Sequence, residues 1–479
     1  MHNDTTILLV LGSAVALLTV AMDLLDRRRI WPQWLCRKVL HVGAVGSCAV
    51  APLLLHDLGA LTLIVGAAEA LLLAAVAGGR LFREASGRPG WGIALFPLPY
   101  LALLLCFPDA PDRWLIALPM AIMAFSDAAA AVVGIQLRST PFQLTADRKS
   151  VAGSSAFTLT TTALLLAWPS PLAALPLPTL LAAAVLLSLL LAAAEALGSA
   201  GWDNVWVPGL AAAMLVAMDS GEALHHLASA WGCAAIAVPF AWAAVRRGWL
   251  SLGGAVTAAA LGCCVVWAQG PAWLLPLLLF FATSTLLGRW SRRSRAVSDA
   301  KHGRPRDAAQ VMSNGGIYLL AALLLPASSA HWAMAVGMAV AIADTWASEI
   351  GLAFQGPTLD LRTGRVVAPG LSGGISLAGT AGALAGALLM GFAAALLLEA
   401  SAATGLLIAG WGIAGMLVDS LLGAWLQVRY RTANGRWQDR PVPGATGQRG
   451  LAWVTNDRVN LLSILLTVVL ALLMRHVGW

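Results

Sequence analysis

The chain has 479 residues, of which 59% are hydrophobic and 11% charged, and its mean hydropathy is +0.79. That balance excludes a soluble domain. Apolar runs of about 16–24 residues recur from end to end, each long enough to cross about 30 Å of hydrocarbon as a helix. The net charge of +7 is spread over many loops, which excludes a nucleic-acid surface and fits a topology signal or an attraction for anionic head groups.

In chain order the first half predicts helices at 5–22, 38–55, 58–79, 91–107, 113–135, 152–168, 176–197 and 204–218. The second half predicts them at 226–245, 249–267, 271–287, 315–327, 331–354, 373–398, 404–427 and 458–474. The first helix lacks a basic leader and a small-residue cleavage site, so it reads as a retained span. The fold class is an all-α polytopic membrane protein of about sixteen transmembrane helices. Two tandem bundles, 1–225 and 226–479, share a sequence pattern. A β-barrel would instead show ten-residue alternation.

With helices alternating sides, the connections near 23–38, 80–90, 136–151, 246–248, 288–314, 355–372 and 428–458 fall on one face. Of the 30 Lys and Arg residues, only Arg113 and Arg475 lie elsewhere. By the positive-inside rule that face is cytoplasmic, both termini are outside, and the protein is expected in the cell (inner) membrane. The six cysteines form no CxxC and read as small apolar residues, and the 20 tryptophans as interfacial belts.

The two halves repeat a motif. "AFSDAAAAVVG" (124–134) and "AIADTWASEIG" (341–351) both fit A-x-x-D-x-x-A-x-x-x-G. Each is followed by a loop with basic residues and then by "SVAGSSA" (150–156) or "SLAGTAG" (376–382) at the next helix start. Glu195, Asp203 and Asn204 in the first half have counterparts in Asp419, Asn456 and Asp457 in the second.

Six acids fall inside predicted spans: Glu69, Asp127, Glu195, Asp344, Glu349 and Asp419. Such groups are expensive in a membrane and are commonly functional. Glu69 stands apart and is expected to make a buried hydrogen bond. Asp344, Thr345 and Ser348 share one helix face, whereas Glu349, at i+5 from Asp344, is expected to face a different neighbour.

Lys38 and His41 share a face three residues apart. Arg148 and Lys149 precede a helix start carrying Ser150, Gly153 and Ser154. Lys301 and Arg306 precede Asn314 and Gly315. A third Gly/Ser-rich entry holds Ser372, Gly373, Ser376, Gly379 and Thr380. Helix starts rich in small residues expose N–H groups that suit phosphate, and carboxylates beside Lys and Arg suit a metal-assisted phosphoryl transfer. No G-x-x-x-x-G-K-[ST] loop occurs, nor a G-x-G-x-x-G with H-R-D.

On "RKVLH" (37–41), "SDAAAAVVG" (126–134), "RKSVAGSSAF" (148–157) and "EALGSAGWDNVWVP" (195–208), the first half resembles the phytol kinase and dolichol kinase group of CTP-dependent polyprenol kinases. It departs from that group at Ser126, where Gly is usual, and at Ala152, where Glu is usual. The second half resembles the phytyl-phosphate kinase family, which includes the transmembrane protein 19 group. The stretches that carry it are "SDAKHGRPRDAAQVMSNGG" (298–316), "DTWASEIG" (344–351), "PGLSGGISLAGTAG" (369–382), "GMLVDSLLGAWLQ" (415–427) and "TNDRVNLLS" (455–463).

These resemblances imply fused kinases. An isoprenoid alcohol would become its monophosphate and then its diphosphate, with CTP or another nucleoside triphosphate and Mg²⁺. Asp127, Asp344, Glu349 and Asp419 would be catalytic. Asp127, Glu195, Asp203, Asp344, Glu349, Asp419 and Asp457 would supply metal ligands. The Lys, Arg, Ser, Gly and Asn positions above, with His41, Asn456 and Asn460, would hold phosphates. An alcohol needs a general base, for which Asp127 is the candidate, whereas a phosphate acceptor needs its charge offset. Two alternatives stay open: only the second half is catalytic, or the protein is a lipid-phosphate transporter or flippase.

Overall fold

The computed structural model describes residues 2–77, 95–293, 305–432, 437–439, 445 and 447–477. Its contacts divide the chain into two compact units, Met1–Leu227 and Ala228–Trp479. The first contains α1 (His2–Arg27), α2 (Gln33–Leu54), α3 (Gly59–Ala77), α4 (Pro97–Cys106), α5 (Trp114–Gln136), α6 (Val151–Ala167), α7 (Leu177–Leu197), α8 (Asp203–Asp219) and the single turn α9 (Glu222–His225). The second contains α10 (Leu227–Arg246), α11 (Leu252–Gln269), α12 (Leu274–Arg293), α13 (Ala308–Leu324), α14 (Ala327–Phe354), α15 (Leu377–Leu397), α16 (Ala402–Trp425) and α17 (Asn456–His476).

The protein is an all-α polytopic membrane protein, and 11 of its described helices are long and apolar enough to cross a membrane. Each predicted helical segment falls on a helix, but some boundaries move. The helix expected from 315 begins at Ala308, because Asp307 and Gln310 close a reciprocal capping box there. The helix expected from 373 begins at Leu377, because Gly374–Ser376 pairs as a strand.

Several helix starts are capped by side chains. Ser150, Ser251, Ser376 and Ser401 each accept an N–H from three residues on. The two exceptions to the charge pattern also serve helix ends. Arg113 donates to the carbonyls of Pro52, Leu55 and His56 at the end of α2, and Arg475 donates to Ser328 O at the start of α14.

A central helix organises each unit. In the first unit, α5 is buried on every side from Trp114 to Ala124 and packs against α2 and α6. In the second, α14 is buried from Trp332 to Ala343 and packs against α12, α13, α15, α16 and α17. Glycines bring these backbones close. A Cβ at Gly412 would lie 2.9 Å from Ala339 O, and one at Gly391 would lie 2.3 Å from Gly405 O.

Small sheets that the sequence reading did not foresee sit in the loops. β1 (Pro141–Gln143) pairs with β2 (Arg148–Ser150). β3 (Thr358–Asp360) lies between β4 (Val366–Val367) and β5 (Gly374–Ser376), and β6 (Arg429–Arg431) lies between β7 (Trp437–Gln438) and β8 (Gly447–Arg449). Glu69, expected to be hydrogen-bonded, is 4% exposed, and neither carboxylate oxygen has a partner among the described residues.

Candidate phosphate and metal sites

The repeated motif folds into the same joint twice. Gly134 of α5 faces the start of α6, where a Cβ would lie 2.9 Å from Ser150 Oγ and 3.6 Å from Gly153 Cα. Gly351 of α14 faces the start of α15, where a Cβ would lie 3.0 Å from Ser376 Oγ and 3.5 Å from Gly379 Cα. A Cβ at Gly153 would lie 2.9 Å from Ala130 O, and one at Gly379 would lie 2.9 Å from Ala347 O. Seven residues after each motif glycine a strand begins, and its first residue pairs with the capping serine: Pro141 with Ser150, and Thr358 with Ser376. Asp127 and Asp344 hold equivalent positions in this joint.

In the first unit the joint gathers three acids. Oxygens of Asp127, Glu195 and Asp203 lie within 4.8 Å of one another. Lys38 Nζ donates to Asp127 Oδ2 at 2.7 Å. His41 Nε2 lies 3.3 Å from the same oxygen and 3.2 Å from Met123 O. Because a carbonyl only accepts, Nε2 carries the proton. Lys149 donates to Glu195 and lies 3.9 Å from Asp203 Oδ2. Burial opposes the charge on Lys149, but Glu195, Asp203 and Asp127 outweigh it and hold the ammonium above its usual range.

Gly198 lets this site close, since a Cβ there would lie 2.9 Å from Asp203 Cα. Three carboxylates at this spacing are an oxygen donor set that fits a hard divalent cation. Arg148 is not part of the group. It alternates with Lys149 on β2 and is exposed, because successive strand side chains point to opposite faces. Ser150 is occupied in capping α6, and Gly153 serves close packing. Ser154 Oγ is buried with no hydrogen-bond partner among the described residues.

In the second unit one cavity of about 810 Å³ collects the predicted residues. Asp344, Glu349, Asp419 and Asp457 line it, with Asn456 and Asn460. Arg306, Asn314 and Gly315 line it from another side, and Ser372, Gly373, Ser376, Gly379 and Thr380 from a third. Lys301 lies outside the described residues. Glu349 faces α12. The cavity extends around α14, and Gly288 of α12, which has no side chain, leaves room for the Glu349 carboxylate 3.5 Å from where its Cβ would be. Ser463 donates to Asp419 Oδ2 at 3.0 Å, fixing it against α17.

Arg306 is placed by its backbone. Its N–H donates to Trp249 O and its carbonyl accepts from Ser251 N, which stitches it to the α10–α11 turn. The Gly/Ser loop is held by residues that the sequence reading missed. Arg429 donates to Asp360 at 2.9 Å and to the carbonyls of Ser372 and Gly423. Ser372 N donates to Asp439 Oδ2 at 2.9 Å, and Ser372 Oγ donates to Gln427 Oε1 at 2.7 Å. Gly373 has φ of +76°, and a Cβ there would lie 2.6 Å from Ala424 backbone.

A buried central helix with carboxylates at one end, lining an amphipathic cavity, defines a polytopic membrane protein with a polar intramembrane site. Residues 234–468 match the family described as integral membrane protein DUF92, and the chain belongs to that family. It is 28% identical to Protein PGR of Arabidopsis thaliana, over 40% of this chain and 77% of that protein. It is 31% identical to an uncharacterized membrane protein of Methanocaldococcus jannaschii, over 36% of this chain and 72% of that protein. No solved structure matches the chain.

Proposed function

We propose that the protein is a pair of membrane-embedded phosphotransferases. The first unit phosphorylates an isoprenoid alcohol, and the second phosphorylates the resulting monophosphate to the diphosphate. CTP or another nucleoside triphosphate is the donor. The observation that carries this reading is the cluster of Asp127, Glu195 and Asp203, with Lys38 and Lys149 in contact with it. Its counterpart joint in the second unit opens on a cavity lined by Asp344, Glu349 and Asp419. In this reading the basic connections face the cytoplasm, where the nucleotide is.

Asp127, Glu195 and Asp203, whose oxygens converge, would hold Mg²⁺ in the first unit. There it would offset negative charge on the transferring phosphoryl group. The chain's own groups do the rest. Lys38 donates to Asp127 Oδ2 and His41 Nε2 lies 3.3 Å from that oxygen, and the carboxylate they position takes the alcohol proton as the alcohol oxygen bonds to phosphorus and the nucleoside diphosphate departs. Lys149 is within reach of a phosphate oxygen beside Glu195. In the second unit the acceptor is already anionic, and Arg306 with the capped start of α15 offsets its charge.

A second reading, with catalysis only in the second unit, is favoured by Ala152, which offers no carboxylate at the start of α6. Both readings are tested by incubating the purified protein with labelled CTP, Mg²⁺ and prenols or prenyl monophosphates. Asp344→Asn is expected to stop diphosphate formation and spare monophosphate formation, and Asp127→Asn to do the reverse. Diphosphate formation alone would select the second reading. Label reaching neither lipid would overturn both.

A further inference from the structure

Beyond its polar end the cavity of the second unit continues into an apolar gallery. Three helices each supply one stripe at i, i+4 spacing: Cys233 and Ala237 from α10, Ala258 and Gly262 from α11, and Leu277 and Phe281 from α12. From Phe281 back to Leu274 every α12 residue that lines it is Leu or Phe. Water there would find no partners, so the space suits hydrocarbon. Ala258 and Gly262 create the room by being small.

The gallery has a narrow end. A Cβ at Gly262 would lie 3.3 Å from Leu274 Cδ2 and 3.9 Å from Cys233 Sγ, where the three helices meet. The polar end is marked by Gly288 beside Glu349. Leu274 and Gly288 both line the cavity, and a helix covers about 21 Å between such positions at about 1.5 Å per residue. The gallery also opens sideways: Ile236 and Leu278 line it and are 71% and 50% exposed.

We infer that this gallery holds the apolar tail of a single-chain lipid phosphate entering between α10 and α12, and that Gly262 sets the longest chain admitted. The phosphate head, and only the head, rests on the function proposed above. It lies at the end lined by Arg306, Asn314 and the N-cap of α15, where its charge is matched.

The test is binding by the full chain in nanodiscs, without nucleotide, read by native mass spectrometry. The probes are prenyl and straight-chain alkyl monophosphates of ten, fifteen and twenty carbons. Gly262→Leu is expected to weaken the twenty-carbon probes at least about tenfold, because methylenes lose their burial, and to change the ten-carbon probes less than about twofold. Ala258→Leu, one turn nearer the polar end, is expected to exclude the fifteen-carbon probes as well. Retained ten-carbon binding certifies folding, and if Gly262→Leu fails that control Ala258→Leu decides. Equal loss at every length, no loss in either variant, or no binding by the wild type would overturn the inference. A preserved length series in a protein that transfers no phosphoryl group would overturn the proposed function and leave the gallery standing.

Discussion

Lys38 of α2 and Asp127 of α5 lie 89 residues apart in sequence and meet at 2.7 Å. The contact ties an early helix to the motif aspartate, and removing the cation strips a largely buried carboxylate of its donor at 2.7 Å. Lys38→Met is expected to cost about 1.5–3 kcal/mol, the range for a charged hydrogen bond. It is also expected to slow alcohol phosphorylation at least tenfold. Thermal unfolding and the labelled-CTP assay measure the two effects, and Lys38→Arg should keep most of the stability.

The carboxylate cluster predicts cation binding that does not depend on turnover. Mn²⁺, as a spectroscopic substitute for Mg²⁺, is expected to bind the full chain with an affinity that falls at least about tenfold in Glu195→Gln and in Asp203→Asn. Electron paramagnetic resonance titration reads free Mn²⁺ directly. Unchanged affinity in both variants would remove the first unit from the list of metal sites.

Asp360 and Arg429 form a buried pair that holds the Gly/Ser loop. Burial works against the charge on Asp360. Arg429 and the N–H groups of Thr363 and Arg362 outweigh it and hold the carboxyl below its usual range. A lowered folded value contributes stability above the unfolded value, about 3.9, and loses it as pH falls through the folded value. Hydrogen exchange over 369–376 is therefore expected to rise below about pH 4. Arg429→Met is expected to raise it at neutral pH and to cost about 3–5 kcal/mol, since one buried partner is stranded.

Gly391 and Gly410 separate close packing from open space. Gly391→Ala would put a methyl 2.3 Å from Gly405 O, whereas Gly410 has nothing within 4 Å of an added Cβ. The first change is expected to cost about 1–3 kcal/mol, and the second to be neutral or slightly stabilising. Melting temperatures in one detergent compare them.

The helices were legible because membrane spans announce themselves as apolar runs, and the motif aspartates because charge inside such a run is rare. The pairing of Asp127 with Glu195 and Asp203 was legible as a shared role, since the order of acids repeats between halves. What escaped was the scaffolding of the loops. Arg429 read as one more positive charge in a basic connection, because two- and three-residue strands leave almost no periodicity. Arg148 and Lys149 read as equals, since only a strand register separates their faces.

The central helix α14 also bears on how the protein is made. It is the least hydropathic of the 11 candidate spans, and it is buried over most of its length. A carboxylate at a helix centre adds roughly 2.5–3.5 kcal/mol to the free energy of insertion and less toward an end, and α14 carries Asp344 inside its span with Glu349 nearer its end. Alone, it is a poor substrate for the translocon's lateral gate. Its small-residue partner α15 follows within the same stretch of chain and packs along it, so the two helices are suited to leave the gate together, with assembly of the polar site coupled to biogenesis.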